Sequence, residues 1–332
     1  MTDKPIGIDL GTTYSAVATL NDKGDVVLVQ NQEGGLLTPS VIFFESESNI
    51  VVGDVAKDAR AEFPESVSEF VKRWMGQDKE FRYVSRKFTP TELSAIILKK
   101  LKRDAEVALG IETITKAVIT CPAYFGASQR DATKKAAAIA GIDVLALINE
   151  PTAAALAFGV DTKQNGIVMV FDLGGGTFDV TLVRISEDSL DILGSDGNHQ
   201  LGGKDFDDAI INLCLNYFRE ENDVDLSDDL EALGELRQKA QKAKHDLSAR
   251  ESTTISFRAG GDRLRYEFTR EDFSNAIQPL IEGMQLTMIN IIDEAGVQLD
   301  DIADVLLVGG STRVLAVRQM LTEFFGKEPN MK

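Results

Sequence analysis

Residues 6–20 read IGIDLGTTYSAVATL, and residues 167–183 read IVMVFDLGGGTFDVTLV. Each stretch contains an apolar, β-rich run, the triplet Asp-Leu-Gly, a short turn of Gly and Thr, and a second run in which apolar residues alternate. Strand patterns on both sides of a turn whose residues tolerate positive φ predict a β-hairpin. Because this pattern occurs twice, about half the chain apart, the sequence predicts two related lobes that arose by duplication of a domain.

The composition of the chain is that of an ordinary globular protein. It has 332 residues, of which 43% are hydrophobic and 27% are charged, and a chain of this length has room for two domains. The 53 acidic residues outnumber the 35 basic residues, so the net charge is −18. A negative surface repels nucleic-acid backbones and anionic lipids, and we therefore expect neither a nucleic-acid partner nor a membrane partner.

The small number of cysteines and histidines argues against several classes of site. Cys121 and Cys214 are the two cysteines, and His199 and His245 are the two histidines. The cysteines lie far apart, as expected for buried thiols in a reducing compartment, and neither histidine has the spacing of a zinc ligand or of a Ser-His-Asp triad. The first residues lack a secretion signal, and no apolar run is long enough to span a bilayer, so we expect a cytoplasmic location.

Strand and helix patterns alternate along the rest of the chain. Strands are predicted at 117–121, 144–148 and 304–308, and helices at 126–140, 151–158, 205–221, 228–248, 271–295 and 313–325. Ser128 is expected to cap the first of these helices, and Gly159 is expected to end the second. Residues 252–268, with two glycines in their middle, predict a further hairpin. The alternation predicts α/β lobes with parallel or mixed sheets, and the polar, Gly-rich stretch 159–166 predicts their boundary.

The two Asp-Leu-Gly turns have the composition of a phosphate site. Small residues let the backbone approach a phosphate closely, successive N–H groups of a tight turn bind anions, and threonine hydroxyls add donors. Asp9, Asp172 and Asp179 are expected to supply oxygen ligands for Mg²⁺, directly or through water. One such turn is more often simply a tight hairpin turn, whereas two matching turns with the same preceding Asp favour a phosphate site.

Two other kinds of phosphate motif are absent from the sequence. The stretch NHQLGGKDFD is similar to a P-loop, but Lys204 is followed by Asp205 where a P-loop has Ser or Thr, and Asn198 occupies the position of the first Gly. No G-x-G-x-x-G motif opens a helix after the first strand, so a dinucleotide-binding fold is not expected.

Seven stretches resemble the signatures of the Hsp70 family, in the order in which that family has them. They are IGIDLGTTYS (6–15), VKRWMG (71–76), VITCPAYF (118–125), INEPTAAALAFG (148–159), FDLGGGTFDV (171–180), QLGGKDFD (200–207) and LLVGGSTR (306–313). The resemblance extends over essentially the whole chain and implies an α/β, actin-like ATPase fold of two ribonuclease-H-like lobes with a nucleotide cleft between them. Lobe I is then expected at 1–160, with a shortened small subdomain at about 34–90, and lobe II at 161–332, with a helical small subdomain at about 204–283.

The resemblance also assigns roles at the phosphate end of the nucleotide, with ATP or ADP, Mg²⁺ and K⁺ as the implied ligands. Contacts to the phosphates are implied for Gly11, Thr12, Thr13, Gly174, Gly175, Gly176 and Thr177. The residues implied to hold the metal ions through water are Asp9, Asp172 and Asp179, with an oxygen of Tyr14 nearby. Lys72 would reach the γ-phosphate and help to place the attacking water, and Glu150 would lie beside the metal and its waters. Together with Thr177, Asp179 and Asp9 these two residues form the implied catalytic set, which works by positioning and charge neutralisation and needs no covalent nucleophile.

For the adenosine end the resemblance implies contacts from further glycines and polar residues. They are Gly202, Gly203, Lys244, Ser248, Gly309, Gly310, Ser311 and Arg313. Glycines allow close approach of the backbone, and a guanidinium group can stack on a base. Lys244 and Ser248 stand four apart on one helix face, which is also what an ordinary amphipathic helix presents.

Three features depart from the family pattern. Between Gly76 and Thr89 stands the short stretch QDKEFRYVSRKF, where most members have a much longer insert, and this weakens the inference of a nucleotide exchange factor that grips the small subdomain. Gly126 and Ala127 follow PAYF where the family usually has Asn-Asp, and Ala146 stands where it usually has Arg, which weakens the inference of a J-domain partner. The chain ends before the linker and the peptide-binding domain of the family, so we expect unfolded-protein clients only through a domain that this chain lacks.

Three functions remain open from the sequence. The resemblance implies slow, Mg²⁺-dependent ATP hydrolysis that drives an Hsp70-type chaperone cycle. A small-molecule kinase of the same superfamily, acting for example on a sugar, would need a carboxylate base beside the acceptor hydroxyl. A nucleotide-dependent adaptor or co-chaperone would bind ATP without hydrolysing it. The presence of Lys72, Thr177 and Asp179 favours the hydrolase.

Overall fold

The computed structural model describes residues 4–162, 165–187, 189–259 and 262–330. Within these ranges the chain forms two compact α/β units, the first ending at Ala153 and the second beginning at Ala154. The lobe limits that the resemblance implies, 1–160 and 161–332, remain a prediction, as do the small subdomains at about 34–90 and 204–283.

The first unit is built on a six-stranded sheet. The strands of the whole unit are β1 (Ile6–Asp9), β2 (Tyr14–Leu20), β3 (Val26–Leu28), β4 (Thr38–Pro39), β5 (Ile42–Phe44), β6 (Ile50–Val52), β7 (Val67–Ser68), β8 (Phe81–Tyr83), β9 (Arg86–Phe88), β10 (Lys116–Cys121) and β11 (Asp143–Asn149). The large sheet has the order β11-β10-β1-β2-β3, with β4 also paired to β2. Strand β1 runs antiparallel to β2 and parallel to β10. The short strands β6-β5-β7 and β8-β9 form two smaller sheets.

Helices cover the first unit and supply much of its apolar core. They are α1 (Asp54–Ala59), α2 (Pro90–Leu109) and α3 (Ala127–Ile139). Helix α4 begins at Glu150, near the end of the first unit, and runs to Thr162, so most of it belongs to the second unit, where Ala155 and Phe158 are buried in an apolar cluster. Helix α2 starts with a capping box, in which Thr89 accepts from the Glu92 amide and Glu92 accepts from the Thr89 amide, and Gly110 with φ 63° follows its last turn. Its buried residues Leu93, Leu98 and Leu101 pack against those of the large sheet in one apolar cluster.

The second unit repeats the central part of this design. Its strands are β12 (Gly166–Leu173), β13 (Phe178–Ile185), β14 (Leu190–Asn198), β15 (Ser252–Ala259), β16 (Asp262–Thr269) and β17 (Ile302–Val308), and its helices are α5 (Gly203–Asn222), α6 (Leu230–Leu247), α7 (Arg270–Glu294) and α8 (Leu315–Phe325). The sheet has the order β14-β13-β12-β17. Strand β12 is antiparallel to β13 and parallel to β17, as β1 is to β2 and β10. The shared order and directions are those that a duplicated domain predicts.

The predicted hairpin at 252–268 appears as the antiparallel pair β15 and β16. Its two central glycines, Gly260 and Gly261, lie outside the described residues. Part of the predicted boundary at 159–166, namely Lys163 and Gln164, also lies outside them.

Two predicted helix limits are wrong. Helix α3 begins at Ala127 rather than after Ser128, because the Gln129 side chain accepts a hydrogen bond from the Gly126 amide and caps the helix there. The Ser128 hydroxyl instead donates to the Gly76 carbonyl at 3.1 Å. Gly159 does not end α4, which continues to Thr162, since one glycine inside a helix costs only about 1 kcal/mol relative to alanine.

Candidate functional site

The turn between β1 and β2 carries the first group of predicted site residues. A side chain on Gly11 would collide with the Tyr14 carbonyl oxygen, so the tight path of the turn requires glycine. Thr12 is buried, and Thr13 Oγ1 is buried and makes no hydrogen bond within the described residues. A buried hydroxyl of this kind is a ready donor for an oxygen-rich ligand.

Two neighbours fix the polar side chains at the ends of this turn. Thr120 Oγ1, on the adjacent strand β10, donates to Asp9 Oδ1 at 2.7 Å. Lys57 Nζ donates to the Tyr14 hydroxyl at 2.8 Å and lies 5.2 Å from the centre of the Tyr14 ring. The Asp9 carboxylate and the Tyr14 hydroxyl are therefore both held by other residues of the first unit.

Lys72 and Glu150 form a buried ion pair. Lys72 lies in the 3-10 turn Val71–Trp74, and Glu150 is the first residue of α4. The distance from Lys72 Nζ to Glu150 Oε1 is 2.6 Å, and the two side chains are 7% and 15% exposed. Burial raises the pKa of Glu150 above its ordinary value, the charge of Lys72 opposes this, and the charge of Asp9 raises the pKa further. The influence of Asp9 on the pKa of Glu150 means that both carboxyl groups and the Lys72 ammonium belong to one electrostatic site.

The turn between β12 and β13 carries the second group. Asp172 and Asp179 are direct partners across the hairpin. Between them the chain turns through three glycines and Thr177, and the Gly174 amide donates to the Thr177 carbonyl at 3.0 Å. Thr177 and Asp179 are both buried. The structure thus brings two carboxylates and a Gly-rich turn together within the second unit.

The start of α5 packs directly on this glycine turn. The amides of Gly203 and Lys204 donate to the carbonyls of Gly174 and Gly175 at 3.0 and 2.8 Å. A Cβ on Gly202 would lie 2.5 Å from the Gly176 amide nitrogen, so the close approach needs glycine at this position. The motif QLGGKDFD is therefore part of the same site as the Gly174–Thr177 turn.

Lys244 of α6 reaches this junction with its ammonium group. Its Nζ donates to the Gly203 carbonyl at 2.6 Å and lies 2.8 Å from Asp207 Oδ1. Ser248 caps the end of α6, and its hydroxyl donates to the Lys244 carbonyl at 3.3 Å. The two residues share a helix face, as their spacing predicts, and the Lys244 ammonium joins α6 to the start of α5.

The segment after β17 completes the second group. Gly309 has φ 86°, and a side chain there would collide with the Leu173 carbonyl oxygen. Gly310 begins the 3-10 turn Gly310–Arg313 and has open space around it. The Ser311 hydroxyl is buried and donates to the Gly174 carbonyl at 2.8 Å, whereas Arg313 is exposed. Ser311 therefore contacts the glycine turn in the structure, and Arg313 is exposed to solvent.

Each predicted site residue thus lies in one of two groups, and each group lies within one unit. The first contains Asp9, Gly11, Thr12, Thr13, Tyr14, Lys72 and Glu150. The second contains Asp172, Gly174, Gly175, Gly176, Thr177, Asp179, Gly202, Gly203, Lys244, Ser248, Gly309, Gly310, Ser311 and Arg313. The roles assigned to these residues remain predictions.

Four further residues contact members of these groups and were not predicted from the sequence, namely Ser40, Lys57, Thr120 and Asp207. Thr120 and Asp207 stand inside quoted motifs, and a predicted parallel pairing of β1 with the strand at 117–121 would have placed Thr120 next to Asp9. Ser40 and Lys57 carry no local signal, because their contacts to Gly11 and Tyr14 span 29 and 43 positions.

Neither a metal cage nor a membrane-spanning helix occurs in the part of the chain that the structure describes. Within the described ranges, no three His, Cys, Asp or Glu side chains come together as a metal cage. None of the helices described above combines the length and the apolar character that crossing a bilayer requires.

Comparison with known proteins gives a consistent result over almost the whole chain. The family model described as Hsp70 protein matches residues 5–86 and 79–332. The chaperone protein DnaK of Thermotoga petrophila is 44% identical over 333 residues, which cover 98% of this chain and 56% of that protein. The chaperone protein DnaK of Thermosipho africanus is 43% identical over 332 residues, covering 98% of this chain and 55% of that protein. The chain spans about half the length of the curated relatives it matches.

Proposed function

The chain belongs to the Hsp70 family and has the actin-like ATPase fold of that family, and on this premise we propose that it binds ATP and hydrolyses it slowly with Mg²⁺. The observation that carries the proposal is the buried ion pair of Lys72 and Glu150 in the electrostatic environment of Asp9. A buried ammonium that is already oriented is the kind of group that stabilises the charge of a transferred phosphoryl group.

The turn residues fit a phosphate ligand. Thr13 Oγ1 is a buried hydroxyl with no protein partner among the described residues, and the absence of a side chain at Gly11 keeps the turn tight. Tight turns of this composition offer N–H groups to anions. We infer that Thr12 and Thr13 contact the phosphates from the first hairpin, and that Gly174, Gly175, Gly176 and Thr177 do so from the second.

The carboxylates fit a magnesium ion that keeps several waters. Asp9, Asp172 and Asp179 carry the carboxylates nearest the two turns in sequence, and Mg²⁺ beside phosphates can be held by carboxylates through its water ligands. When bound, the ion supplies charge neutralisation at the phosphate oxygens. We propose that these three residues hold it, and that K⁺ binds nearby.

The residues of the chain itself provide orientation. Thr120 donates to Asp9 and fixes the direction of that carboxylate. Glu150 Oε1 accepts from Lys72 Nζ and holds the ammonium in one direction. Because this ion pair is buried, the Lys72 ammonium is held in a fixed position from which it can orient a water molecule beside the phosphates. This is the property that a site for water-dependent phosphoryl transfer needs.

At the adenosine end, we propose that Gly202, Gly203, Gly309 and Gly310 allow close approach of the nucleotide. Exposed Arg313 can stack on a base. Lys244 and Ser248 are proposed as contacts of the adenosine, and Ser311 as a further contact at this end. Lys244 and Ser311 also donate to the carbonyls of Gly203 and Gly174. Nucleotide binding in this form agrees with the family of the chain.

In the longer protein to which such a domain belongs, we propose that hydrolysis drives a chaperone cycle in the cytoplasm, with unfolded proteins bound by another domain. A J-domain protein and a nucleotide exchange factor are the proposed partners of that cycle. Gly126 is the cap of α3 and Ala146 is exposed on β11. Both positions, together with Ala127, lack the side chains that the family usually offers to a J-domain, so this partner is expected to bind weakly.

The proposal is tested by single-turnover hydrolysis of labelled ATP with Mg²⁺ and K⁺. The wild-type chain should convert ATP to ADP slowly without an added acceptor, and Lys72→Ala should slow this conversion by about 100-fold or more, as loss of one oriented electrostatic group does in other enzymes. Lys87→Ala serves as the matched control, because Lys87 forms an ion pair with Glu80 in which both side chains are 56% exposed.

Circular dichroism of each variant checks that the chain is folded. Tight ATP binding without conversion by the wild-type chain would contradict the hydrolase and indicate the adaptor. Conversion that requires an added sugar would instead indicate the kinase.

A further inference from the structure

Ser40, which follows β4, donates two hydrogen bonds to the turn between β1 and β2. Its hydroxyl donates to the Gly11 carbonyl at 2.8 Å, and its amide donates to the Thr13 carbonyl at 2.9 Å. Ser15 Oγ lies 2.9 Å from Ser40 Oγ. A serine hydroxyl has one proton, and that of Ser40 is given to Gly11, so Ser15 donates to Ser40. The result is a relay from Ser15 through Ser40 to the Gly11 carbonyl.

The relay is buried. Ser15 is 1% exposed and Ser40 is 3% exposed. Buried hydrogen bonds in a chain strengthen one another, and loss of one member leaves the others without a partner in a medium of low dielectric constant. The direction of the Gly11 carbonyl is therefore strongly determined by Ser40.

The second unit has a similar hydrogen bond to the carbonyl of its turn glycine, donated by a different residue. Gly174 follows Asp172 by two positions, as Gly11 follows Asp9, and its carbonyl accepts from Ser311 Oγ at 2.8 Å. Ser40 reaches its glycine from a loop after β4, whereas Ser311 reaches its glycine from the 3-10 turn after β17. Two serines that do not correspond in the duplicated fold therefore donate to the same carbonyl of the repeated turn, at the same distance.

The hydrogen bond from a serine to the glycine carbonyl, which both turns have, has a simple electrostatic reason. A turn that offers its N–H groups to a phosphate must direct its carbonyl oxygens elsewhere, because the partial negative charge of a carbonyl repels the anion. In both turns a buried serine hydroxyl donates to the glycine carbonyl and keeps it directed towards the protein interior, and in the second turn the Gly203 amide donates to the same carbonyl.

We propose that Ser40 is a positioning residue for the nucleotide phosphates, which acts by holding the Gly11 carbonyl away from them. The proposal rests on the ATP binding proposed above. Ser40 itself does not need to touch the nucleotide. Its effect is expected on ligands that carry phosphates and not on the nucleoside.

The test compares the affinities of variants for ATP, ADP and adenosine by isothermal titration calorimetry. Ser40→Ala should weaken the binding of ATP and ADP by about threefold to tenfold, the effect of losing one buried hydrogen bond, while adenosine binding stays unchanged. Ser40→Thr keeps the hydroxyl and should restore most of the affinity. Ser94→Ala is the matched control, since it removes another buried serine hydroxyl of the first unit, one whose contact is Met75 Sδ at 3.2 Å.

Ser15→Ala provides a second measurement if Ser40→Ala does not fold. It removes the first donor of the relay and keeps the bond from Ser40 to Gly11, so its effect on ATP affinity should be smaller than that of Ser40→Ala but larger than that of Ser94→Ala. Equal weakening of ATP and adenosine in the serine variants, or an effect no larger than that of Ser94→Ala, would overturn the assignment of Ser40. A wild-type chain that does not bind ATP would instead contradict the proposed function itself.

Discussion

Asp9 lies opposite Ala16 across the hairpin of the first unit, whereas Asp172 lies opposite Asp179 across the hairpin of the second. In both hairpins the partners stand seven positions apart, so the turns have equal length and the strands have the same register. The second hairpin therefore carries two carboxylates where the first carries one. The backbone register was kept because a shift by one residue would turn every side chain to the other face of the sheet, while single side chains were free to diverge.

The strand beside each hairpin shows the same kind of divergence. Thr120 lies next to Asp9 and donates to it, but Val308, which pairs with Asp172, has no hydroxyl to donate. The turn glycines differ as well. A side chain on Gly11 would collide with the backbone, whereas a Cβ on Gly174 would lie at an ordinary distance of 3.7 Å from the Thr177 carbonyl oxygen. Corresponding residues of the two units therefore differ in their hydrogen bonds and in the space that is available for a side chain.

Each unit also contains a buried lysine paired with a carboxylate. In the first unit the pair is Lys72 and Glu150, and in the second it is Lys244 and Asp207. Lys244 additionally donates to a backbone carbonyl at the start of α5, which gives it a structural task. We therefore expect loss of Lys72 to affect turnover first, and loss of Lys244 to affect stability first.

The largest expected effect is that of Lys244→Met on stability. The substitution removes the buried ammonium that pairs with Asp207 and donates to the Gly203 carbonyl, and the free energy of unfolding should fall by about 3–5 kcal/mol. Chemical denaturation without nucleotide measures this separately from ligand binding. Lys204→Met is the control, because Lys204 pairs with Asp208 one helical turn away in a more exposed setting, and its loss should cost about 1 kcal/mol or less. Equal costs for the two variants would show that Lys244 has no special structural task.

The next largest effect is the difference in stability between the variants Gly11→Ala and Gly174→Ala. Gly11→Ala places a methyl group against backbone atoms and should lower the free energy of unfolding by about 1–3 kcal/mol. Gly174→Ala meets an ordinary van der Waals contact and should change it by about 0.5 kcal/mol or less. Thermal unfolding of both variants measures the difference. If Gly174→Ala lost more stability than Gly11→Ala, the second turn and not the first would be the one that requires glycine for its backbone path.

The smallest effect concerns the neighbour of Asp9. Thr120→Val gives the first unit the residue type that the second unit has at Val308, and it removes the hydrogen bond to Asp9. A neutral donor to a carboxylate contributes about 1 kcal/mol or somewhat more, so the concentration of Mg²⁺ needed for half-maximal ATP hydrolysis should rise by about fivefold to tenfold. Thr120→Ser keeps the donor and should behave as the wild type. An unchanged Mg²⁺ requirement in Thr120→Val would mean that Thr120 does not orient Asp9 for the metal.

The three hairpins, the strands β10, β11 and β17 and the helices α3 to α8 could be predicted because their signals are local. The short strands β3 to β9, the strand β14 and the helices α1 and α2 were not predicted. Alternating apolar residues and a Gly-Thr turn determine β1 and β2 within 15 residues of sequence, and the same pattern determines β12 and β13. The helix limits at Ser128 and Gly159 were less predictable, since capping by Gln129 and the small cost of one glycine compete with the ordinary signals.

The sequence by itself thus determined the two-fold α/β design, the family and the residue types that a phosphate site needs. Only the tertiary structure decided which residues meet. Thr120 and Asp9 are 111 positions apart, Lys72 and Glu150 are 78 apart, and Ser311 and Gly174 are 137 apart. The physical reason is that such contacts depend on strand order and on the packing of whole elements, which periodicity along one segment does not encode.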